Sequence, residues 1–367
     1  MSDASSRRAV VAGAGIGGLA AAIALRRSGW EVEVLERDAE IRPLGAGLSI
    51  WPNGVVALRK LGLGEIAEGP AVPRGGGALR RPDGSTLAGF DPAAIENRFD
   101  APLVGVHRRD LHEALLAAQT VQPRLGSEVV SVSAGEVRTA DGAALRADLI
   151  VGADGLGSAV REAILDAADP VDSGIVAFRG IAESPADVPA GEMWASGCAA
   201  GLLPLAGGLT YWYVAFHGEA GDRDVLDARA AEFASPLPEL VDATDPAAVL
   251  SHRLFDRDPV PTWSNGPITL LGDAAHPMLP FLGQGACSAL EDAVALGETL
   301  AGGDVGAGLA AYEAARVKPT TVLVKRSRSA ARVALMKSPI GMAIRNRAVS
   351  WTPESARMRQ VAAVVAP

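Results

Sequence analysis

The sequence predicts an α/β fold: a Rossmann-like nucleotide-binding domain, an inserted sheet-rich domain and C-terminal helices. Three observations support this prediction. Residues 8–36 run through a short apolar strand, a glycine turn, an Ala- and Leu-rich helix and an alternating strand, as in a βαβ unit. Residues 171–260 instead carry several strand-like runs. The chain after residue 313 is basic and has the pattern of amphipathic helices.

Composition excludes several classes of protein. Hydrophobic residues make up 49% and charged residues 21% of the 367 positions, which is typical of a globular chain and not of a disordered one. The net charge of −9 argues against a general nucleic-acid binder. No apolar run reaches the ~18 residues of a membrane span. The two cysteines lie 89 positions apart, so we expect no disulfide framework. The five histidines form no pair with the spacing of metal ligands on a helix, so we expect no metal site.

The N-terminal Arg7-Arg8 pair precedes an apolar stretch, as in twin-arginine export signals. A strand, a glycine turn and a helix explain that stretch better than a signal peptide does. We therefore expect a cytoplasmic protein.

The first motif is a G-x-G-x-x-G fingerprint at Gly13, Gly15 and Gly18, with Ile16 and Gly17 inside it. Its glycines permit a tight turn, the approach of a pyrophosphate to the backbone and close packing of helix on strand. The N–H groups that begin the helix attract the phosphates. The alternative is a purely structural glycine turn.

A carboxylate, Glu36, ends the second strand and is followed by Arg37. A carboxylate at this place binds a ribose 2′-hydroxyl and repels a 2′-phosphate. The pattern therefore predicts a dinucleotide site, but it does not distinguish FAD from NAD, because both carry that free hydroxyl.

A second motif, Asp154-Gly155, follows another buried strand and precedes a helix that Ser158 could cap. On its own it is explained better by an ordinary strand–turn–helix connection.

The third motif covers residues 272–285, after the strand 268–271 and before a helix beginning near Ala286. Asp273 could accept hydrogen bonds from a sugar-alcohol chain, while Gly283 and Gly285 would let a flat ring lie against the backbone. The helix start would stabilise negative charge on that ring. His276 could be a proton shuttle, but a structural histidine beside prolines is the favoured interpretation.

Together the three segments resemble the group A, single-component FAD-dependent monooxygenases of the 4-hydroxybenzoate hydroxylase type, in the same order over most of residues 7–300. The resemblance implies non-covalent FAD. It assigns the fingerprint and Glu36 to the ADP half, Asp154 to both FAD and NAD(P)H, and the third motif to the ribityl chain and flavin. Further candidate cofactor contacts that it implies are Arg37, Gly47, Ser49, Arg108, Pro280, Gln284 and Ala286.

The activity that this resemblance implies is hydroxylation of an aromatic or other electron-rich small molecule by NAD(P)H and O₂, through a C4a-hydroperoxide of the flavin. No second fingerprint follows a strand, so NAD(P)H has no predicted domain of its own. Epoxidation or dehydrogenation on the same fold is an alternative. A flavin-binding protein without turnover, such as a redox sensor, is another.

The substrate is not determined by the sequence. Tyr211 and Tyr213 are two apart on one strand and so face the same way, either lining a pocket or lying in the sheet core. Arg179 and His217 are weaker pocket candidates. The run Trp51-Pro-Asn-Gly54 resembles bacterial FAD-dependent urate hydroxylases, but residues 197–216 lack the Arg that this resemblance implies for holding urate. No side chain is assigned as an essential acid or base.

We predict a discontinuous FAD-binding domain from residues 1–170 and 261–312, with 71–101 partly in the substrate domain. The substrate domain is 171–260 and the C-terminal helices are 313–367. That last segment has 11 Lys and Arg against Glu313 and Glu354. It could bind an anionic or membrane surface, but docking of its helices on an acidic body is the favoured interpretation. The oligomeric state is not predicted.

Overall fold

The computed structural model describes residues 7–41, 46–69, 72–74, 77–165, 168–184, 188–219 and 221–366. Its strands are β1 (Arg8–Ala12), β2 (Glu31–Leu35), β3 (Gly47–Ile50), β4 (Gly77–Arg80), β5 (Thr86–Phe90), β6 (Val104–His107), β7 (Val129–Ser133), β8 (Glu136–Thr139), β9 (Ala144–Arg146), β10 (Leu149–Gly152), β11 (Val171–Glu183), β12 (Gly191–Trp194), β13 (Cys198–Leu205), β14 (Leu209–His217), β15 (Leu250–Asp256), β16 (Ser264–Asn265) and β17 (Ile268–Leu270). Its helices are α1 (Ile16–Arg27), α2 (Pro52–Lys60), α3 (Glu65–Glu68), α4 (Pro92–Phe99), α5 (Arg108–Ala117), α6 (Ala159–Ile164), α7 (Arg223–Ala230), α8 (Leu237–Ala243), α9 (Gly285–Leu300), α10 (Val305–Ala334), α11 (Pro339–Trp351) and α12 (Glu354–Val365).

The nucleotide-binding half is a five-stranded sheet in the order β16-β17-β10-β1-β2, parallel except for the edge strand β16. Val10 and Val11 in β1 are buried, as expected for a central strand covered on both faces. The predicted strands and the helix of the βαβ unit are thereby confirmed. They bring the carboxyl ends of β1 and β10 side by side, where ligands of open parallel sheets bind.

The second and larger sheet has seven strands, in the order β15-β11-β14-β13-β12-β4-β5. The hairpin predicted within residues 71–101 is β4–β5, turning at Gly84 with a φ of 83°. Several elements were not predicted: α4, although Asp91 and Pro92 form an ordinary helix start, and also β12, α7, α8 and β15.

The two halves of the cofactor cleft are held together by α1 and α9. A Cβ at Gly297 of α9 would lie 2.8 Å from that of Ala24 in α1, and the Ser28 hydroxyl donates to the Gly297 carbonyl at 2.7 Å. A Cβ at Gly17 would meet Leu271 at 2.7 Å. This close packing places the glycine turn of β1 beside the segment that precedes α9.

The basic helix α10 docks on the body through ion pairs with acidic residues, in agreement with the predicted docking on an acidic body. Arg328 in α10 contacts Asp256 at 2.6 Å and Asp258 at 2.6 Å. Within the described ranges, none of the helices is both long and apolar enough to cross a bilayer. Arg8 opens β1, and the Arg7 guanidinium stacks on Trp30 at 4.6 Å, so both arginines belong to the fold.

Candidate cofactor and substrate site

The glycine turn after β1 has the shape that its motif predicts. Gly13 has a φ of 101°, and a Cβ there would lie 2.4 Å from the Ala153 carbonyl oxygen. A Cβ at Gly18 would lie 1.9 Å from the Gly13 carbonyl oxygen. Around Gly15, in contrast, no atom of a contacting described residue lies within 4 Å of the Cβ position. Two glycines are thus required for packing, and the third leaves an open approach to the start of α1, which has no side-chain cap.

Glu36 lies directly at this turn. Its Oε2 accepts the Ala14 N–H at 2.8 Å, and the Ala14 carbonyl lies 2.7 Å from His112 Nε2 in α5. The carboxylate therefore reaches the fingerprint across the ends of β1 and β2, while Arg37 beside it is exposed.

Asp154 caps α6 jointly with Ser158. Its carboxylate accepts the Ser158 hydroxyl at 2.5 Å and the Val160 N–H at 3.2 Å, and Ser158 accepts the Arg161 N–H at 2.9 Å. Burial raises the Asp154 pKa, and these hydrogen bonds oppose the rise. The buried Arg161 donates to the carbonyls of Ala274 and Ala275, at 2.8 and 2.9 Å. The second and third motifs are therefore linked directly.

A buried charge cluster holds the third motif in place. Asp292 in α9 accepts the Gly272 N–H at 3.1 Å and Arg316 Nε at 2.7 Å, and it lies 2.5 Å from His276 Nε2. Burial alone would raise the pKa of Asp292, but His276 and Arg316 lower it to about 2. The His276 ring also packs against Trp263, with the ring centres 5.2 Å apart and the planes tilted by 38°. Its interpretation as a structural histidine is supported by these contacts.

The start of α9 is open toward the cleft. A Cβ at Gly285 would meet no atom within 4 Å, and α9 has neither a side-chain cap nor an acidic residue in its first turn. Gly283 has a φ of 61°, and a Cβ there would lie 3.0 Å from Trp51 Nε1. The buried Trp51 Nε1 and Gln284 Nε2 have no hydrogen-bond partner among the described residues. Pro280 begins the 3-10 turn just before, and Ala286 follows in the first turn of α9.

Arg108 and Asp273 interact electrostatically across the cleft. Arg108 begins α5 directly after β6 and is half-buried, and burial lowers its pKa while Asp273 opposes that change. Solvent reaches the Asp273 side chain through the cleft, but the protein around it still raises its pKa by desolvation, against the charges of His276 and Arg108.

The face of the seven-stranded sheet toward β3 carries Tyr211 and Tyr213. A Cβ at Gly47 would lie 2.4 Å from Tyr211 Cβ, so this tyrosine packs directly on the backbone of β3, the strand that carries Ser49. The two rings are 6.4 Å apart. The Tyr213 hydroxyl donates to Glu192 at 2.7 Å, a carboxyl whose pKa burial raises.

Arg179 of β11 joins the same face. Burial raises the pKa of Tyr211 to about 12, and the charge of Arg179 opposes that rise. Its Nε is buried without a hydrogen-bond partner among the described residues, and its charge lowers the pKa values of Arg108 and of His252 beyond the effect of burial. A guanidinium thus reaches the cleft near a second guanidinium.

Comparison with known proteins identifies the chain. The sequence profile of the FAD binding domain family matches residues 7–327. The chain is 36% identical over 354 residues to 3-hydroxybenzoate 6-hydroxylase from Klebsiella oxytoca, covering 89% of this chain and 88% of the relative. It belongs to the group A FAD-dependent monooxygenases. This monooxygenase is an oxidoreductase of aromatic or heterocyclic small molecules that binds FAD and uses NAD(P)H.

Two further likenesses extend over nearly the whole chain. The monooxygenase is 36% identical over 326 residues to aurachin C monooxygenase/isomerase from Stigmatella aurantiaca, covering 84% and 85% of the two chains. Klebsiella pneumoniae HpxO complexed with FAD and uric acid superimposes with a TM-score of 0.90 at 30% identity, covering 98% of this chain and 96% of that one. The predicted fold class and family are confirmed.

The cleft of the monooxygenase fits FAD. Two helix N-termini, those of α1 and α9, open into it without side-chain caps, and Gly15 and Gly285 leave room where a side chain would intrude. The Trp51 Nε1 and Gln284 Nε2 donors, which have no hydrogen-bond partner among the described residues, lie beside Gly283 before the start of α9. The individual cofactor contacts stay predictions.

Three site residues were not singled out from the sequence. Asp292 lies in an ordinary helical sequence pattern. The only local sign that its side chain is buried is the apolar face of the helix that continues after Glu291 and Asp292. Glu192 and Trp194 belong to the unpredicted β12. No run of sequence places these residues together, because their partners lie on distant strands and helices.

Proposed function

We propose that the monooxygenase hydroxylates a small aromatic or heterocyclic substrate that carries an anionic group, bound between Tyr211 and the flavin end of the cleft. The observation that carries this proposal is Arg179, a partly buried cation whose Nε has no hydrogen-bond partner in the part of the chain that the structure describes. A buried unsatisfied donor costs free energy that an anionic ligand would recover. Urate hydroxylases and hydroxybenzoate hydroxylases among the relatives support this class of substrate.

Arg179 also provides a cation that could hold urate on the substrate-domain sheet. Residues 197–216 contain no Arg, yet β11 supplies one to the same sheet face from outside that range. Urate therefore belongs among the substrates to be tested.

FAD, when bound and reduced by NAD(P)H, supplies the activation of O₂ and the electrophilic oxygen. The protein's part is to bind, orient and exclude water. The N–H groups that begin α9 stabilise negative charge on the flavin ring. Tyr211 closes the cleft against Gly47 and keeps water from the reacting face. No side chain is assigned as an essential acid or base.

The residues proposed to hold FAD can be tested at Asp273. We expect Asp273→Ala to weaken FAD binding at least about tenfold, because charge-assisted hydrogen bonds to a ribityl chain contribute roughly 1.5–3 kcal/mol. Flavin fluorescence titration of the apoprotein is the measurement, and Asp224→Ala, an exposed change in α7, is the control. Unchanged affinity in the Asp273 variant would remove this residue from the cofactor site.

The proposed substrate class is tested by NAD(P)H oxidation and product analysis with urate, hydroxybenzoates, salicylate and their uncharged analogues. Anionic ligands should stimulate oxidation and yield hydroxylated product. Arg179→Met should raise KM at least about tenfold for an anionic substrate while FAD affinity stays unchanged. The control is Arg253→Met, which removes an exposed cation paired with Asp172 at 2.7 Å.

The same assay separates the alternatives. Turnover with an acceptor but without oxygen incorporation would identify a dehydrogenase, and an epoxide product would identify an epoxidase. An equal KM for the wild-type protein and Arg179→Met would show that the anionic group, or the substrate class itself, has been misassigned.

A further inference from the structure

Helix α11 presents an apolar stripe to solvent. Ile340, Ile344 and Trp351 are 75%, 65% and 69% exposed, more than any other large hydrophobic residue in the described ranges. Their spacing of four and seven positions puts them on one side of the helix. The stripe is about 16 Å long at 1.5 Å per residue. Exposed apolar residues normally occur singly, so an ordered row of them marks an interaction surface.

The opposite side of α11 is fixed to the molecule. Arg345 is buried, donates to the carbonyls of Val333 and Ala334 at 2.9 and 3.2 Å, and stacks on Trp194 at 5.0 Å. Ser338 caps the helix by accepting the Gly341 N–H at 3.2 Å. The helix is therefore anchored through its polar side, and its apolar side is left for a partner outside the chain.

Two arginines flank the Trp351 end of the stripe. The Arg347 guanidinium lies 4.0 Å from the centre of the Trp351 ring, and Arg81 lines the same depression as these two residues. Residues 314–353 contain no Asp or Glu. The stripe thus combines a tryptophan, two isoleucines and neighbouring arginines without an acidic residue in the helix.

We propose that α11 docks on the surface of an anionic phospholipid bilayer. Apolar side chains enter the boundary between headgroups and acyl chains, tryptophan lies at headgroup level, and Arg and Lys attract acidic headgroups. A second copy of the same face would bring Arg347 and Arg81 against like charges, which favours the lipid surface over self-association. The proposal concerns a peripheral contact and is independent of the proposed substrate.

The test is co-sedimentation of the FAD-loaded protein with vesicles of phosphatidylcholine alone and of equal parts phosphatidylcholine and phosphatidylglycerol. We expect binding to the anionic vesicles that weakens with added salt. The double variant Ile344→Ser/Trp351→Ser should bind at least about tenfold less, and Arg347→Gln about fivefold less. The control is Val121→Ser/Val130→Ser, which removes two exposed valines, 55% and 53% exposed, from another part of the molecule.

All variants should keep the flavin content and the NAD(P)H oxidation rate of the wild-type protein in solution, which excludes misfolding. Equal binding to neutral and anionic vesicles, or equal binding of the double variant and its control, would overturn the proposal. Sedimentation equilibrium provides a second outcome: a wild-type dimer that the double variant dissociates would assign this face to a second copy instead.

Discussion

The two faces of the seven-stranded sheet differ in how completely their polar groups are hydrogen-bonded. On one face Trp212 is fully buried under α8, with its Nε1 donating to Thr244 at 2.8 Å. On the other face its neighbours Tyr211 and Tyr213 lie toward β3 with Arg179, whose Nε has no partner in the described structure. Alternate residues of the same strand therefore serve different purposes.

This difference indicates that the covered face contributes mainly to the stability of the fold and the cleft face mainly to ligand binding. The covered face is apolar, and Phe178 stacks on Phe216 there at 6.1 Å. The cleft face retains the half-buried Glu192 and the cation Arg179, whose Nε has no hydrogen-bond partner among the described residues. A ligand that accepts a hydrogen bond from this Nε would recover the free energy that the unpaired donor costs. Substitutions on the covered face should act on folding, and those on the cleft face should act mainly on binding and on pH dependence.

The largest expected effect is that of Trp212→Ala. It should lower the free energy of unfolding by about 3–5 kcal/mol, because the ring fills a closed core and its N–H is already paired. Urea denaturation measures this change. The control is Trp351→Ala, which truncates an exposed tryptophan and should cost no more than about 0.5 kcal/mol. Equal losses would mean that the covered face is not the stabilising one.

A second pair of changes tests both faces by overpacking. A Cβ at Gly180 would lie 2.5 Å from Trp212 Cζ2, and one at Gly201 would lie 2.2 Å from Tyr213 Cε1. Gly180→Ala should destabilise by about 1–3 kcal/mol, since the closed core cannot yield. Gly201→Ala should cost less, because Tyr213 can shift toward the cleft, but it should reduce substrate binding. Urea midpoints and KM values for both variants decide the comparison.

The sequence predicted the frame of the fold better than the site. The fingerprint, Asp154 and residues 272–285 are local patterns tied to a strand end or a helix start, and the structure places them together. Residues 184–260 were predicted incompletely: β12, α7, α8 and β15 are stabilised by tertiary packing, which local patterns do not encode. For the same reason the roles of Asp292 and Glu192 were not predicted, because their partners Arg316 and Tyr213 are distant in sequence.

The smallest expected effect on stability is that of Tyr213→Phe, and it should depend on pH. Tyr213 and Trp194 donate to Glu192 at 2.7 and 3.0 Å and lower its pKa, against the larger upward effect of burial. Because the folded-state pKa of this acid is raised, ionised Glu192 destabilises the fold as the pH rises above its unfolded pKa of about 4.3. Removal of one donor should increase that penalty.

We therefore expect Tyr213→Phe to cost about 1–2 kcal/mol at neutral pH and less at a pH of about 4, where Glu192 is largely protonated. Urea midpoints at the two pH values measure the difference. The matched control is Tyr211→Phe, which removes a hydroxyl that interacts with the cation Arg179 and, within the described residues, with no carboxylate. Its cost should be the same at both pH values. A pH-independent loss in Tyr213→Phe would show that Glu192 does not ionise in the folded protein, and would leave Arg179 as the charged group of the cleft face that binding must satisfy.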